Sequence, residues 1–528
     1  MYVKHNRIGA SPRKGHSVPT PSIQRILPAT RSWPLHGAAA TRRIEQRCAS
    51  GLPAHTLMRR AGESVARLCL ALAPHAGRVW IAAGPGNNGG DGLDAAARLQ
   101  AAGIRVQVTW LGDEARLPTD AKDALTRAQA AGVPISNGLP SATDEIDFAI
   151  DALLGIGATR APDEPLTRVI QRLDQLNGRV LSVDLPSGLH ADTGQPLGDA
   201  CVHATHTMAL LTLKPGLFTG SGRDHAGAVW LDTLASDSDS EPTEAWLQGA
   251  AVGVQTTRAH AQHKGSFGDV AVVGGDAGMR GAALLAAGAA HAAGAGRVYI
   301  ELLDVLALAS DGIYAARHEL MFARGWSDRE ASVLKHSTVV CGCGGGDAVR
   351  RVLPRLLSRV PRLVLDADAL NAVATDASLL ALLRQRRERQ QATVLPPHPL
   401  EAARLLGCSA AEVQADRLHA ACRLVDMTDC VVVLKGSGSV IAAPGEVPRI
   451  NATGNGSLAS AGTGDVLAGW LGGLWAQAGA TGDAFAGALR IAARAVAEHG
   501  ATAEPERPGA LRAGDLIELL YGRSRGIA

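Results

Sequence analysis

Two clusters of polar residues, each set in glycine, carry the chemistry this sequence could perform. The first is GPGNNGGDG, Gly84 to Gly92. Its glycines at 84, 86 and 89 have the G-x-G-x-x-G spacing of a dinucleotide-binding turn, in which a helix N-terminus receives a pyrophosphate. Asn87, Asn88 and Asp91 do not suit an ordinary site of that kind. Asp91 puts a carboxylate close to where the phosphate would lie, and two anions in one place repel. Either the carboxylate itself uses the helix start, or a cation sits between it and the ligand.

The second cluster is spread along the C-terminal half. GTGD, Gly462 to Asp465, opens a helix whose first N–H groups would form an anion hole, with Asp465 placed to accept a proton from an attacking hydroxyl. LKGSGS, Leu434 to Ser439, has the small residues and single cation that cradle phosphates. PPHP places His398 in a rigid loop, and DADAL, Asp366 to Leu370, suits a strand end running into a helix N-cap. Each signal is weak alone; their order along strands and loops strengthens them.

These residues need a frame that aims them at one place. Strands and helices alternate from RVWIAA through the helix LDAAARLQAAG to IRVQVTW, then DFAIDALLGIG, GRVLSVDLPSG and HTMALLTLKPG. The pattern repeats in GDVAVVGGD, GAALLAAGAAHAAG, GRVYIE, STVVCGCGGG, RLVLDADAL, QATVLPPHP and CVVVLKGSGS. Short apolar runs separated by helices predict parallel sheets covered on both faces, with ligands beyond the strand C-termini. Asn87, Asn88, Asp91, Asp151, Asp184, Ser187 and Lys214 all fall after such strands.

The expected fold is therefore α/β, two fused three-layer units. The 528 residues suit several domains, and 46% hydrophobic residues supply large cores. Residues 1–34 hold Lys4, Arg7, Arg13, Lys14, Arg25 and Arg31 without an acid, and read as a disordered basic tail. The first unit spans 35–235. The acidic, serine-rich 236–250 reads as a linker, and the second unit spans 251–528. A net charge of +2 points to neither nucleic acid nor an anionic membrane as partner. Eight scattered Cys without C-x-x-C suit reduced thiols and the cytoplasm. No apolar run is long enough to span a bilayer.

The first unit resembles the YjeF N-terminal family of NAD(P)H-hydrate epimerases through GPGNNGGDGLDAAARL, DALLGIG, VDLPSGL and TLKPG. The second resembles the ADP-dependent NAD(P)H-hydrate dehydratases of the ribokinase-like superfamily through HKGSFGDVAVVGGDAGMRGAALLA, DADAL, PHP, VVLKGSG and ASAGTGDVLAG. The resemblance implies a Rossmann-like first unit, a ribokinase-like second unit, and a bifunctional repair enzyme. NADH and NADPH take up water across the ring's 5,6 double bond as R and S hydrates. The epimerase interconverts them, and the dehydratase restores the S form at the expense of ADP. Carried over by position, Asn88, Asp151 and Ser187 would bind potassium. Asn87, Asn88, Gly89, Gly90, Asp91, the loop Gly155, Ile156, Gly157, Ala158, Thr159, Arg160 and Ala161, and Asp184 would bind the hydrate, with Asp184 moving the proton. In the second unit Asp465 would be the base, and Ala282, Gly346, His398 and Asp465 would contact the hydrate. Lys435, Gly436, Ser437, Gly438, Ser439, Gly462, Thr463 and Gly464 would hold ADP, accompanied by magnesium. A homo-oligomer is expected. Pro399-Leu400-Glu401 departs from the family's usual P-G-E, Cys343 stands where Pro is usual, Gly345 where a larger residue is common, and Ala461 where Gly is often found.

Two other readings fit part of the sequence. An NAD-dependent oxidoreductase would use the opening turn, with Asp113 roughly placed to hold a ribose. A small-molecule kinase fused to a nucleotide-binding module would use ATP and release a stable phosphorylated product.

Overall fold

The computed structural model describes residues 23–141, 144–176, 179–236, 241–249, 258–304, 317–478, 482–503 and 509–526. Two sheets carry the polar residues. The first has eight strands, in the order Gln24–Arg25, Ala228–Asp232, His206–Leu210, Val180–Val183, Phe148–Ala152, Arg78–Ala83, Arg105–Trp110 and Ile135–Ser136. All pair in parallel except the outermost Gln24–Arg25. The strand Arg78–Ala83 lies between a later neighbour on each side, Arg105–Trp110 and Phe148–Ala152. The chain order reverses there, which opens a crevice beyond those strand ends.

The second sheet has eleven strands. Its parallel body runs Met321–Phe322, Arg297–Leu302, Asp269–Gly274, Ser337–Cys341, Arg362–Leu365, Thr393–Leu395 and Val431–Leu434. The order reverses at Asp269–Gly274. The antiparallel hairpin Val440–Ala442 and Arg449–Asn451 extends one side. The helices Arg280–Ala292 and Thr463–Gln477 pack together on one face, closely enough that a Cβ at Gly469 would stand 1.9 Å from the Ala286 carbonyl oxygen. The Ala/Gly richness of both helices is what permits this approach.

The α/β expectation holds for both units; the tail and linker expectations need correction. Of residues 1–34, those from Gln24 onward are structured. Gln24–Arg25 closes the first sheet and Trp33–Leu35 closes the second, with Ile26, Ala29 and Leu35 buried. Residues 1–22 lie outside the described residues. Within the expected linker 236–250, Ala245–Gln248 is a strand between Arg449–Asn451 and Trp33–Leu35. Glu241 pairs with Arg43 and Arg47, and Glu244 accepts the Gly37 N–H at 3.0 Å. Strands of two to four residues leave no periodicity to read, and Glu241, one of the acids that suggested a solvated linker, is answered by a basic helix far away in sequence.

Candidate active sites

The first site is a cleft of about 750 Å³ at the reversal point of the first sheet. The turn after Arg78–Ala83 enters it because of its glycines. A Cβ at Gly84 would stand 1.9 Å from the Leu153 carbonyl oxygen, and one at Gly89 would stand 2.0 Å from that of Gly84. The helix Asn87–Ala101 then begins, and Asn87, Asn88 and Asp91 line the cleft. So do the loop Gly155 to Ala161 and Asp184, all expected from the sequence. Gly89 and Gly90 do not line it; Gly90 faces Met58 and Ala121 and makes room for neighbouring helices.

Asp184 follows its strand in a left-handed conformation, φ 67°, and lies 8% exposed. Such conformations in non-glycine residues gather at sites that must aim a side chain. Its Oδ1 accepts from Lys214 Nζ and, at 3.3 Å, from the Leu210 N–H. Lys214 is fully buried and also donates to the carbonyls of Leu210 at 2.8 Å and Thr212 at 3.0 Å. All three ammonium protons are thereby used, so Lys214 is a fixed charge facing Asp184. The sequence placed Lys214 at this sheet edge without giving it a partner.

Asp151 and Ser187 lie together at 0% exposure. Asp151 accepts from Ser182 Oγ at 2.7 Å, from the Ser187 N–H at 2.9 Å and from Ser187 Oγ at 2.5 Å. Burial raises the Asp151 pKa against these donors. Ser187 Oγ also receives the Leu154 N–H at 2.9 Å, and the Asn88 side chain lies against Gly155. The three residues thus surround the Leu153–Gly155 turn with hard oxygen donors, and the buried Asn88 Nδ2 has no partner there. This donor set fits a weakly charged cation such as potassium.

Thr41, Arg42, Glu45 and Asp120 also line the cleft and were not foreseen. Arg42 and Glu45, a turn apart on the helix Ala38–Ser50, gave the only available signal. Asp91 has its pKa raised well above the ordinary carboxyl value by burial and then by the charges of Asp184, Glu45 and Asp120. A carboxyl that holds its proton this firmly repels a phosphate less, which removes much of the conflict in the glycine turn.

In the second unit Asp366, Lys435, Asp465 and Glu401 converge. Lys435 Nζ lies 3.0 Å from Asp366 Oδ1 and 3.9 Å from Glu401 Oε2. Gly464 adjoins the same ammonium, 3.5 Å from where its Cβ would be. Asp465 stands in the first turn of Thr463–Gln477, whose Gly462 cap has φ 87°. Burial, then the Asp366 charge, raises the Asp465 pKa to about 6, opposed by the Cys343 thiol and Lys435. Cys343, noted for its departure from the family, is thus a hydrogen-bonding neighbour of Asp465. Burial also raises Glu401 to about 7.

His398 caps the helix Pro399–Leu406, its Nδ1 accepting the N–H groups of Leu400 and Glu401 at 3.1 and 3.2 Å. Its Nε2 lies 3.2 Å from Glu401 Oε1, so it borders the cluster. Gly346 donates to Asp368 at 2.9 Å, and Ala282 touches the same loop at Gly344. Cys343, Asp366 and Asp465 bring donor atoms within 4.8 Å of one another. One of the three is a thiol, and Lys435 already neutralises Asp366, so this group does not suit magnesium.

The two units are α/β sheets with parallel strands, each with an acid and a lysine just beyond its strand ends. The model of the YjeF-related protein N-terminus matches residues 54–216, and that of NAD(P)H-hydrate dehydratase matches 270–517. The Bifunctional NAD(P)H-hydrate repair enzyme Nnr of Escherichia coli is 37% identical over 445 residues, covering 81% of this chain and 82% of that protein. The protein of the same name from Coxiella burnetii is 35% identical, covering 81% and 87%. The structure of the ADP/ATP-dependent NAD(P)H-hydrate dehydratase from Bacillus subtilis, co-crystallized with ATP/Mg2+, is 27% identical, with TM-score 0.39 over 51% of this chain and 93% of that one. The chain belongs to the family of bifunctional NAD(P)H-hydrate repair enzymes. Among the described residues no helix is long and apolar enough to cross a membrane.

Proposed function

We infer that the first unit epimerises hydrated NADH and NADPH and that the second dehydrates the S form at the expense of ADP. The observation that carries this reading is the pairing of an aspartate with a lysine beyond the strand ends of each sheet, Asp184 with the buried Lys214 and the Asp366–Asp465 cluster with the half-buried Lys435. In the first site the C6 hydroxyl takes a proton and leaves as water while the ring nitrogen's lone pair forms N1=C6. Water returns to the opposite face and gives a proton back. Asp184, aimed by its contact with Lys214, serves as the group that gives that proton to the leaving hydroxyl and takes one back from the returning water. Arg42 and Arg160, both lining the cleft, are the cations available to the nucleotide phosphates.

In the second site Asp465 accepts the C6 hydroxyl proton as that oxygen attacks the terminal phosphorus of ADP and AMP leaves. Loss of the C5 proton and of phosphate then restores the C5=C6 bond. Gly462 to Gly464 and Lys435 to Ser439 are the phosphate donors in this reading. Magnesium enters with the nucleotide phosphates, and no protein step depends on a cage for it. Asn88, Asp151 and Ser187 would hold potassium, which lets carboxylates and phosphates share the first cleft. Eight unpaired cysteines suit the cytoplasm as its compartment.

The test is recovery of the reduced nicotinamide's near-ultraviolet absorbance from a mixed R and S hydrate preparation. With ADP the whole mixture should return to NAD(P)H; without ADP none should. Stable phosphorylated product would instead mark a small-molecule kinase, and reduction of NAD by an alcohol would mark an oxidoreductase. Exchanging potassium for a large organic cation at equal ionic strength should slow epimerisation. An unchanged rate would remove the cation from the mechanism.

A further inference from the structure

The turn Lys435 to Ser439 is shaped from outside its own unit. Arg417, 1% exposed, donates through Nη2 to the carbonyls of Leu434 and Lys435, both at 3.1 Å. Its Nε donates at 3.2 Å to Oγ1 of Thr219, a residue of the first unit that is itself 1% exposed. Thr219 Oγ1 in turn donates to the Gly438 carbonyl at 3.3 Å, with the Ser437 carbonyl at 3.5 Å. The fit is close. Gly438 has φ 60°, and a Cβ there would stand 1.9 Å from the Phe218 carbonyl oxygen. Gly436 has φ 139°, and a Cβ there would stand 2.9 Å from the Arg417 guanidinium.

A trans peptide points its N–H opposite to its C=O. Carbonyls of Ser437 and Gly438 held toward Thr219 therefore turn the N–H groups of Gly438 and Ser439 away from the first unit. We propose that Thr219, with Arg417, is a positioning residue for ADP in the dehydratase, so that the epimerase unit sets the nucleotide affinity of its neighbour. This rests on the reading of Lys435 to Ser439 as a nucleotide turn. Thr219 lies five residues after Lys214, on the segment that leads from the first site directly to the second.

The test is Thr219→Val in the full chain, which keeps the shape and removes the hydroxyl. KM for ADP should rise about fivefold, the worth of one hydrogen bond. The kcat for S-hydrate dehydration should hardly change, and epimerisation should proceed as before. Thr219→Ser should restore the ADP KM. An unchanged KM in Thr219→Val, with only a lower melting temperature or lower kcat, would reduce Thr219 to glue between units and overturn the proposal. Lys435→Ala is run beside it. If Lys435→Ala raises the ADP KM and Thr219→Val does not, the positioning role alone fails. If Lys435→Ala leaves the ADP KM unchanged, the nucleotide turn itself is misread and the proposal falls with it. Should Thr219→Val not fold, Arg417→Lys, which keeps the charge and loses the fork, carries the same expectation and the same refutation.

Discussion

Asp184 and Asp465 are the same residue type at the edges of two similar sheets, and their surroundings tune them differently. Lys214 spends all its protons holding Asp184 and two carbonyls, so Asp184 has one fixed counter-charge. Asp465 shares its site with Asp366, and burial with that neighbour brings its pKa to about 6. A base of that strength is mostly ionised at neutral pH and loses its charge as the pH falls through about 6. ADP-driven dehydration should therefore decline on the acid side with an apparent pKa near 6 in kcat/KM, while a flat profile down to pH 5 would contradict the assignment. Asp465→Asn keeps the shape and removes the proton acceptor, so dehydration of S hydrate should drop on the order of 10²–10⁴-fold. Epimerisation should be untouched. Asp184→Asn should do the reverse, with S hydrate repaired at full rate and R hydrate accumulating. Chromatographic separation of R, S and intact NADPH over time distinguishes these outcomes, and loss of both activities in either variant would demand a single shared site.

Elements, not residues, hold Asp465 in place. Its helix Thr463–Gln477 lies against Arg280–Ala292 through Gly469, where a methyl group would stand 1.9 Å from the Ala286 carbonyl oxygen. Gly469→Ala must push the helices apart, at a cost of about 1–3 kcal/mol. It should lower the melting temperature and weaken dehydration more than epimerisation, because the displaced helix carries the dehydratase base at its start. A melting curve identical to the parent's would show that the helices yield without strain. The parallel strands and their loops were legible in the sequence because each is an apolar run ending in glycine or a polar group. Asn87, Asn88, Asp91 and Asp184 meet in one cleft because their strands, Arg78–Ala83 and Val180–Val183, flank the single strand Phe148–Ala152 in the sheet. What was not legible depends on partners distant in the chain. Glu45 enters the first cleft from a preceding helix, Lys214 needs Asp184 to have a role, and Thr219 looks like a loop residue until the second unit is packed against it. The antiparallel hairpin Val440–Ala442 and Arg449–Asn451 escaped because three-residue strands carry no period.

At the scale of the whole molecule, the short N-terminal stretch is a strap between two sheets. Gln24–Arg25 pairs with the edge of the first, and Trp33–Leu35 pairs with Ala245–Gln248 at the edge of the second. Leu35 also bridges to Leu213, and the His36 N–H donates to the Leu213 carbonyl at 2.9 Å, one residue before Lys214. The strap therefore touches both edges and supports the segment that holds the epimerase lysine. A chain beginning at Gly37 would lose the buried side chains of Ile26 and Leu35, 1% and 0% exposed. Each contributes about 1.5–3 kcal/mol by burial. It would also leave two sheet edges open for pairing with other chains. The shortened protein should melt at a lower temperature and aggregate sooner on heating. Its epimerisation should fall further than its dehydration, since Leu213 loses its neighbour next to Lys214, whereas among the described residues Asp465 in its helix and Lys435 in the turn after Val431–Leu434 have no contact with the removed strand. Equal melting temperatures and undiminished epimerisation in the shortened chain would mean that the strap is dispensable and that Lys214 is held by its own strand end alone.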